Sequence, residues 1–397
     1  MIVLADRLNK IVESNTLRMA KLSRELQAQG KDIINLSLGE PDFQTPIHIK
    51  EAAKKAIDDG YTFYTPVAGY LDLRQAISEK FQRENGLTYA ADQIVVSTGA
   101  KHSIMNVMMA LLNKDDEVII PTPFWVSYSE MVKLNDGKPV YVHSTVDQDY
   151  KPTPAQIEAA ITDKTKIFIF SSPCNPTGSV FSKDELYNIA KVFEKYPQVS
   201  IIADEIYEHI NFKGKHESIG QFDFIKDRVI TVNGMSKGFA MTGWRLGYIG
   251  APKLIAQACE KLQGQFTSGT NAIAQRAALA ALQHDLKPTV AMTEAFQRRR
   301  DLVLGLMKDI PGFKVNIPEG AFYVFPDVSS LYGKSDGTTV INNCEDLCMY
   351  ILHNANVALV GGDSFGAPEC IRFSYATSDD KLVEALKRIK EAITKLK

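Results

Sequence analysis

The sequence predicts an α/β fold in which helices cover both faces of a mostly parallel sheet. Between residues 93 and 232, short unbroken apolar runs alternate with helical stretches. Strands of a parallel sheet are buried on both faces, so they carry apolar runs rather than an alternating pattern. After about residue 290 the pattern changes and indicates a separate, smaller α+β domain. A chain of 397 residues is long enough for two such domains.

These changes of pattern divide the chain into three expected segments. Residues 1–45 are expected to form an N-terminal arm and part of the small domain. Residues 46–289 are expected to form the large domain, which would bind a cofactor, and residues 290–397 the small C-terminal domain.

The elements before residue 93 are a helix over residues 17–29 and a short strand within residues 32–38. Thr45 is then predicted to cap a helix whose first position is Pro46 and which Gly60 ends. Threonine caps, a proline at the first helical position and a glycine after the last turn are common at helix ends.

Five strands of the large domain are predicted, each followed by a loop. They are residues 93–97, 117–120, 166–171, 199–203 and 229–232. The elements predicted for the small domain are helices over residues 289–307 and 345–354, apolar segments at 312–317 and 320–325, strands at 357–360 and 370–375, and a last helix beginning at Ser378. An apolar stripe marks the buried face of the last helix. It consists of Leu382, Leu386, Ile389, Ile393 and Leu396.

Composition and charge argue against several classes of protein. Hydrophobic residues make up 45% of the chain and charged residues 23%, and the formal net charge is −2. This balance gives no basis for binding nucleic acid or an anionic membrane. The opening residues lack a basic stretch, and no apolar run approaches about 18 residues, so neither a secretory signal nor a membrane span is expected. The five cysteines are scattered, so we expect reduced thiols, a cytoplasmic location and no metal site.

Residues suited to chemistry follow directly after the predicted strands. In parallel sheets, ligands bind in a crevice at the carboxyl ends of the strands. The sequence therefore predicts one crevice, lined by residues from several strand ends. These residues are Gly99, Trp125, Asn175, Asp204, Tyr207 and Lys237.

The segment 229–245 combines a predicted strand, a Gly/Ser turn that contains one lysine, and an arginine eight residues after that lysine. The amine of Lys237 can condense with an aldehyde, which is how a lysine holds pyridoxal phosphate. Arg245 would then meet the phosphate, whose oxygens match a planar guanidinium. Considered alone, the segment is equally compatible with a surface lysine in a turn.

The other strand-end residues fit the same cofactor. Asp204 suits a pyridinium nitrogen, which needs a carboxylate to stay protonated. Asn175 and Tyr207 can donate to a ring oxygen, and Trp125 can stack on a flat ring. The loop 99–101 offers backbone N–H groups to a phosphate at the start of a helix. Taken singly, Asp204 is also compatible with a helix cap and Trp125 with a core position.

With these residues identified, the chain resembles the class I aminotransferases of fold type I, which depend on pyridoxal 5′-phosphate. Within that class it is similar to the aspartate aminotransferase subgroup found in many bacteria. The resemblance covers nearly the whole length and implies a seven-stranded sheet in the large domain and a homodimer with shared active sites. The motifs that carry it lie at residues 38–43, 172–178, 204–207, 236–237, 243–245 and 372–378.

The resemblance also implies roles for individual residues. The implied catalytic residues are Lys237, which would form a Schiff base with the cofactor, Asp204 and Tyr207. The implied cofactor contacts are Gly99, Ala100, Lys101, Trp125, Asn175, Asp204, Tyr207, Ser236, Lys237 and Arg245, with Tyr64 supplied by the neighbouring subunit. The implied substrate contacts are the backbone at Gly39, Lys101, Trp125, Asn175, Thr16 and Arg372, the last of which would hold the α-carboxylate.

The chain departs from many members of this family at two positions. Cys174 stands where asparagine is common, but it is expected to lie outside the chemistry. Gly234 stands where others carry a serine, three residues before the lysine. Ser236 and the backbone are therefore expected to hold more of the phosphate.

The expected reaction is a ping-pong transamination of L-aspartate with 2-oxoglutarate. The resemblance places Lys101 at the distal carboxylate of the substrate, and a positive charge at a helix start is otherwise unfavourable. A solvated lysine is the alternative. Family members that use prephenate pair this lysine with a threonine, here Thr16, so an aspartate/glutamate-prephenate aminotransferase remains open. Thr16 is equally compatible with a helix cap.

Other classes of protein share parts of this pattern. A carbon–sulfur β-lyase on the same fold would use Lys237, Asp204 and Arg372, but would release ammonia and pyruvate without a keto acid. A regulator that binds the cofactor would need an added DNA-binding domain, for which the residues before Gly39 are expected to leave no room. A nicotinamide dehydrogenase would need a G-x-G-x-x-G turn after its first strand, which the sequence lacks.

Overall fold

The computed structural model describes residues 2–397. The strands of this part of the chain are β1 (Ile34–Asn35), β2 (Ile94–Ser97), β3 (Glu117–Thr122), β4 (Lys138–His143), β5 (Thr165–Ser171), β6 (Ser200–Asp204), β7 (Val229–Gly234), β8 (Gly247–Gly250), β9 (Tyr323–Val324), β10 (Val357–Ala358), β11 (Val360–Gly361) and β12 (Ile371–Ser374). Its α-helices are α1 (Asn15–Ala28), α2 (Ile47–Asp58), α3 (Leu71–Lys80), α4 (Ala100–Leu111), α5 (Ser127–Leu134), α6 (Pro154–Ala159), α7 (Lys183–Glu194), α8 (Lys253–Phe266), α9 (Ala272–Gln283), α10 (Lys287–Met307), α11 (Cys344–Ala355) and α12 (Asp379–Ile393).

Seven strands form one large sheet, in the order β2-β8-β7-β6-β5-β3-β4. Strand β8 pairs antiparallel with both of its neighbours, β2 and β7. The other neighbouring pairs of the sheet are parallel. The predicted α/β class, with a mostly parallel seven-stranded sheet, is confirmed.

Helices cover both faces of this sheet, as the alternate residues of β5 show. Ile167 and Ile169 pack in one apolar cluster with residues of α4, α5 and α8. Phe168 and Phe170, which point to the opposite face, pack in another cluster with residues of α7. Burial on both faces is the physical reason for the unbroken apolar runs in the sequence.

Two strands of the large sheet carry too weak a pattern to be found from the sequence. The edge strand β4 is largely accessible to solvent and begins with Lys138 and Pro139. Strand β8 begins and ends with glycine, a residue that is uncommon in strands. Gly247 is required there because a Cβ at this position would collide with the backbone of Ala100 at the start of α4.

Two smaller sheets accompany α10, α11 and α12. Strand β1 pairs parallel with β10, and β11, β12 and β9 form an antiparallel sheet. The predicted apolar stripe of the last helix is buried, but its last residue, Leu396, lies beyond the end of α12 at Ile393. The domain boundaries at residues 45/46 and 289/290 remain predictions, and α10 begins at Lys287, two residues before its predicted start. No helix within residues 2–397 is long and apolar enough to cross a membrane.

The predicted start of the second helix is wrong by one residue. Pro46 is the N-cap residue, and α2 begins at Ile47. Thr45 does not cap the helix, because its hydroxyl donates to the backbone oxygen of Ala240 at 2.7 Å and accepts from the indole nitrogen of Trp244 at 3.0 Å. The threonine therefore ties this segment to the loop that follows β7.

Candidate active site

A cavity of about 390 Å³ lies at the carboxyl edge of the large sheet. Two of the residues predicted for the site, Gly99 and Tyr64, do not line this cavity. Gly99 directly precedes the lining residue Ala100, and the Tyr64 side chain is 98% exposed. The other predicted site residues all line it. They are Thr16, Gly39, Ala100, Lys101, Trp125, Asn175, Asp204, Tyr207, Ser236, Lys237, Arg245 and Arg372.

The carboxyl ends of neighbouring strands bring these residues together. Asp204 is the last residue of β6 and lies opposite Ser171, the last residue of β5. Lys237 follows the last residue of β7 by three positions, and Ala100 begins α4 three positions after β2. Because these strands run in the same direction, the loops that follow them reach the same edge of the sheet.

The amine of Lys237 lies inside the cavity. It donates a hydrogen bond to the backbone oxygen of Gly39 at 2.5 Å, and it lies 5.6 Å from the centre of the Tyr207 ring. Desolvation by burial lowers the pKa of Lys237 to about 8, and the neighbouring Arg372 and Arg245 also lower it. An amine with this pKa is partly uncharged near neutral pH and can attack a carbonyl carbon.

The carboxyl group of Asp204 is buried at the end of β6. It accepts a hydrogen bond from the Tyr128 hydroxyl at 2.6 Å and another from the backbone N–H of Ile206 at 3.2 Å. Burial nevertheless raises the pKa of Asp204 to about 6. A cationic ring nitrogen beside this carboxylate would favour its charged form, so the residue suits a protonated pyridine.

Arg372 is a buried cation, and only 2% of its surface is exposed. Its guanidinium donates to the side-chain oxygen of Asn175 at 3.0 Å and to the backbone oxygen of Ser37 at 2.5 Å. It lies over the rings of Tyr323 and Phe365, at 4.7 and 5.0 Å from their centres. Its Nε has no hydrogen-bond partner among residues 2–397. A planar fork of this kind, aimed into a cavity, suits a carboxylate ligand.

The start of α4 and the loop after β7 form a cradle of hydrogen-bond donors. Gly99 has a φ of +87°, and a Cβ there would collide with the Arg245 guanidinium. Arg245 donates to the backbone oxygen of Thr242 at 2.8 Å. Ala100, Ser236 and Arg245 line the same cavity. Helix-terminal N–H groups, a hydroxyl and a guanidinium together are suited to hold a phosphate.

Lys101 extends over the Trp125 ring, with its Nζ 5.0 Å from the ring centre. Desolvation lowers the pKa of Lys101, and the charge of Arg245 lowers it further. Thr16 also lines the cavity, and it does not cap a helix, because Ser14 is the N-cap residue of α1. Thr16 is therefore not the N-cap of α1, and its contact with substrate stays a prediction.

Two tyrosines of the cavity wall, Tyr128 and Tyr323, are not among the residues predicted from the sequence. Tyr128 follows Trp125 by three positions at the start of α5, and this helical spacing is the one signal that could have indicated it. Tyr323 lies in β9, and no motif surrounds it. Its hydroxyl lies 2.8 Å from the hydroxyl of Tyr207.

Cationic side chains outnumber acidic ones in the cavity wall. The acidic residues are Glu40 and Asp204, and the cationic ones are Lys101, Lys237, Arg245 and Arg372. Such a wall attracts ligands with several negative groups. The amine, the buried carboxylate and the phosphate cradle together fit pyridoxal 5′-phosphate, which combines an aldehyde, a ring nitrogen and a phosphate.

Comparison with known sequences supports this assignment. The profile of the family described as aminotransferase class I and II matches residues 31–389. A bifunctional aspartate aminotransferase and glutamate/aspartate-prephenate aminotransferase of Petunia hybrida is 46% identical, covering 100% of this chain and 84% of the relative. An aspartate/prephenate aminotransferase of Nitrosomonas europaea is 44% identical, covering 97% of this chain and 98% of the relative.

Solved structures show the same relationship. The aspartate aminotransferase of Rhizobium meliloti superposes with a TM-score of 0.97 at 42% identity and covers 100% of both chains. The aspartate aminotransferase of Thermus thermophilus with maleate has a TM-score of 0.93 at 39% identity, covering 99% of this chain and 100% of that one. The chain therefore belongs to the class I and II aminotransferases and is an enzyme that depends on pyridoxal 5′-phosphate.

Proposed function

We propose that this enzyme transfers the amino group of L-aspartate to 2-oxoglutarate, forming oxaloacetate and L-glutamate. The observation that carries the proposal is the number of cations in the cavity. Arg245 suits the cofactor phosphate and Arg372 suits the α-carboxylate that every amino acid carries. With Lys237 assigned to the aldehyde, Lys101 remains as the fourth cation, and it matches the second carboxylate of aspartate and glutamate. The names of the Petunia hybrida and Nitrosomonas europaea relatives support the same substrate.

When bound, pyridoxal phosphate supplies an aldehyde that takes up the amino group and a ring that accepts the electron pair of the broken Cα–H bond. In this proposal Lys237 holds the aldehyde carbon and Asp204 holds the ring nitrogen. Tyr207 and Asn175 donate to the ring oxygen, because the side-chain oxygen of Asn175 already accepts from Arg372 and its amide nitrogen remains to donate. The residues proposed for the ring face and the phosphate are Trp125, Gly99, Ala100, Lys101 through its backbone, Ser236, Arg245 and Tyr64 of a second copy.

Lys237 also moves a proton in this proposal. Whenever its amine is not bonded to the cofactor, Lys237 would be placed to take the proton from the substrate Cα. A lysine with an ordinary pKa of about 10.4 is protonated almost completely at neutral pH. Because burial lowers the pKa of Lys237 to about 8, the uncharged amine is populated in a much lower pH range.

The half-reaction with aspartate tests the proposed function. Aspartate added alone to the cofactor-loaded protein is expected to convert the bound cofactor to its amine form, with release of one oxaloacetate per active site. Addition of 2-oxoglutarate is then expected to restore the initial visible absorbance. Continuous release of ammonia and pyruvate from a cysteine conjugate, with no response to aspartate, would contradict transamination and indicate a carbon–sulfur lyase.

Replacement of Lys101 tests whether its side chain binds the second carboxylate of the substrate. Lys101→Ala is expected to lower kcat/KM for aspartate by about 10- to 100-fold, because a hydrogen bond to a charged group contributes about 1.5–3 kcal/mol. For alanine, which has no distal carboxylate, the loss is expected to stay below about threefold. Steady-state kinetics with both amino acids measures the difference. Lys114→Ala, which removes an exposed lysine, is the matched control. Equal losses on the two substrates would refute the role of the Lys101 side chain.

Prephenate is a second candidate for the amino acceptor. It is a keto acid that carries a second carboxylate, so Arg372 and Lys101 suit it for the same reason. The placement of Thr16 in the cavity wall favours this candidate, as do the names of the relatives. An assay with aspartate as donor and either prephenate or 2-oxoglutarate as acceptor decides between the two.

A homodimer is part of the proposal because one loop of the single chain exposes two neighbouring aromatic side chains. The side chains of Phe63 and Tyr64 are 83% and 98% exposed. Their loop is nevertheless held in place, since the Arg276 guanidinium lies 5.0 and 4.3 Å from the rings of Tyr61 and Tyr70. An ordered loop that presents two aromatic rings to solvent is typical of a surface that a second copy covers.

Mixed dimers test whether Tyr64 acts across the interface. Lys237→Ala and Tyr64→Ala subunits are co-expressed, and activity is measured at a cofactor level at which neither variant alone is active. Each hybrid dimer would contain one site with both changes and one intact site, so about a quarter of the normal activity is expected with random pairing. Activity equal to the average of the two parents would contradict a shared site.

We further propose a cytoplasmic location. All five cysteines are free, and four of them are buried. Unpaired thiols are usual in a reducing compartment.

A further inference from the structure

The hydroxyl groups of Tyr207 and Tyr323 form a buried pair in the cavity wall. Their oxygens lie 2.8 Å apart, and the two side chains are 3% and 0% exposed. Their rings meet edge to face, with centres 5.9 Å apart and an interplanar angle of 79°. Since both rings are fixed by packing, the hydroxyl contact is part of the folded structure rather than a chance encounter of mobile groups.

The backbone that leads to Tyr323 is attached to the loops of the large sheet. The N–H of Ala321 donates to the backbone oxygen of Ile210 at 2.8 Å, and the N–H of Gly320 donates to that of Gly178 at 2.9 Å. Ile210 lies only three residues after the other tyrosine of the pair. Ala321 itself has a φ of +56°, a conformation that its surroundings must hold in place. The position of one tyrosine is thus set relative to the other before any ligand binds.

The charges around the pair make Tyr323 the better donor. Burial raises the pKa of both phenols. The Arg372 guanidinium, 4.7 Å from the centre of the Tyr323 ring, opposes this rise. Arg372 opposes the rise in the pKa of Tyr207 as well, but the Asp204 carboxylate adds to it, and no carboxylate does so for Tyr323. A phenol that releases its proton more readily is the stronger hydrogen-bond donor, so these charges favour Tyr323 as the donor of the hydrogen bond between the two oxygens.

The direction of the hydrogen bond between the two hydroxyl groups decides whether Tyr207 can donate a proton to a ligand in the cavity. Each hydroxyl carries one proton. If Tyr207 donated to Tyr323, it would have no proton left to offer to the cavity. If Tyr323 donates, the proton of Tyr207 is left for a ligand in the cavity, and the accepted bond makes Tyr207 a stronger donor.

We propose that Tyr323 is a positioning residue that donates its hydroxyl proton to Tyr207 and thereby directs the Tyr207 proton toward the ring oxygen of the cofactor. The proposal rests on the proposed contact between Tyr207 and that oxygen. A donor at the ring oxygen stabilises its negatively charged form. Loss of the Tyr323 hydroxyl therefore weakens cofactor binding and makes the loaded chromophore hold its proton more tightly.

Four variants test this proposal: Tyr323→Phe, Tyr207→Phe, the double variant, and Tyr350→Phe as the control. Tyr350 is buried in α11 and its hydroxyl donates to the backbone oxygen of Ala392, outside the cavity. For each protein, the dissociation constant of pyridoxal phosphate is measured by quenching of intrinsic fluorescence. The proton affinity of the chromophore is obtained from the pH dependence of the visible absorbance, and folding is checked by thermal unfolding.

Tyr323→Phe is expected to raise both the dissociation constant and the chromophore's proton affinity about threefold. Tyr207→Phe is expected to change the dissociation constant and the proton affinity by more than Tyr323→Phe does. In the double variant, Tyr323→Phe is expected to add nothing to the effect of Tyr207→Phe, because the Tyr323 hydroxyl acts only through Tyr207. A Tyr323→Phe protein that behaves like Tyr350→Phe would overturn the proposal, and so would additive effects in the double variant. If Tyr207→Phe itself changes neither quantity, the proposed contact of Tyr207 with the cofactor fails as well.

Discussion

Replacing Lys237 with alanine is expected to lower the turnover of aspartate by more than about 10⁴-fold. One amine serves as the covalent holder of the cofactor and as the base for the substrate Cα proton, and proton transfer by a positioned side chain alone contributes about 10²- to 10⁴-fold. The visible absorbance of the loaded protein is expected to change at the same time, since the bond between the amine and the aldehyde carbon cannot form. Stopped-flow absorbance and steady-state assays measure both effects.

The matched variant for this prediction is Lys237→Arg. It retains a positive charge near Gly39, but a guanidinium stays protonated and can neither form an imine nor accept a proton. Both variants are therefore expected to be inactive, although they differ in charge. Substantial activity in Lys237→Arg would show that the residue contributes charge rather than chemistry. Thermal unfolding distinguishes loss of function from loss of folding.

The apolar pattern along the chain predicts the large sheet and the edge at which the cavity lies, because both depend on residues that are close together in the sequence. A strand buried on both faces needs an apolar run, and the residue after it stands at the carboxyl edge. Asp204 and Lys237 were located in this way. Strands β4 and β8 could not be located in this way. Solvent exposure removes the apolar run from β4, and glycines remove it from β8.

Contacts between distant segments limit what could be predicted of the cavity wall. Tyr323 lies 116 positions after Tyr207, and contacts between distant segments, such as the hydrogen bond from Ala321 to Ile210, bring their hydroxyl groups together. Tyr128 reaches Asp204 across 76 positions. Neither tyrosine stands after an apolar strand run, so a search for polar residues at strand ends cannot find them. Arg372 was found only because it lies in a segment that resembles an aminotransferase motif.

Arg372→Met is expected to lower kcat/KM by about 10³-fold for every amino acid tested. Truncating one partner of a buried, hydrogen-bonded charge pair typically costs about 2–5 kcal/mol. Because the α-carboxylate is common to all amino acids, aspartate and alanine are expected to lose equally. This contrasts with Lys101→Ala, where only substrates with a distal carboxylate are affected. Steady-state kinetics of the two variants with aspartate and with alanine gives the four kcat/KM values needed for this comparison.

The stability of Arg372→Met separates a binding role from a structural one. In the absence of substrate the guanidinium is buried with only neutral hydrogen-bond partners, Asn175 and Ser37, and its Nε has none among residues 2–397. Burying a charge without a counter-charge opposes folding, so a methionine of similar length is expected to leave Tm unchanged or to raise it. A large fall in Tm would show that Arg372 mainly supports the fold. Loss of activity at unchanged or higher Tm would show that the protein keeps a destabilising charge in order to bind a carboxylate.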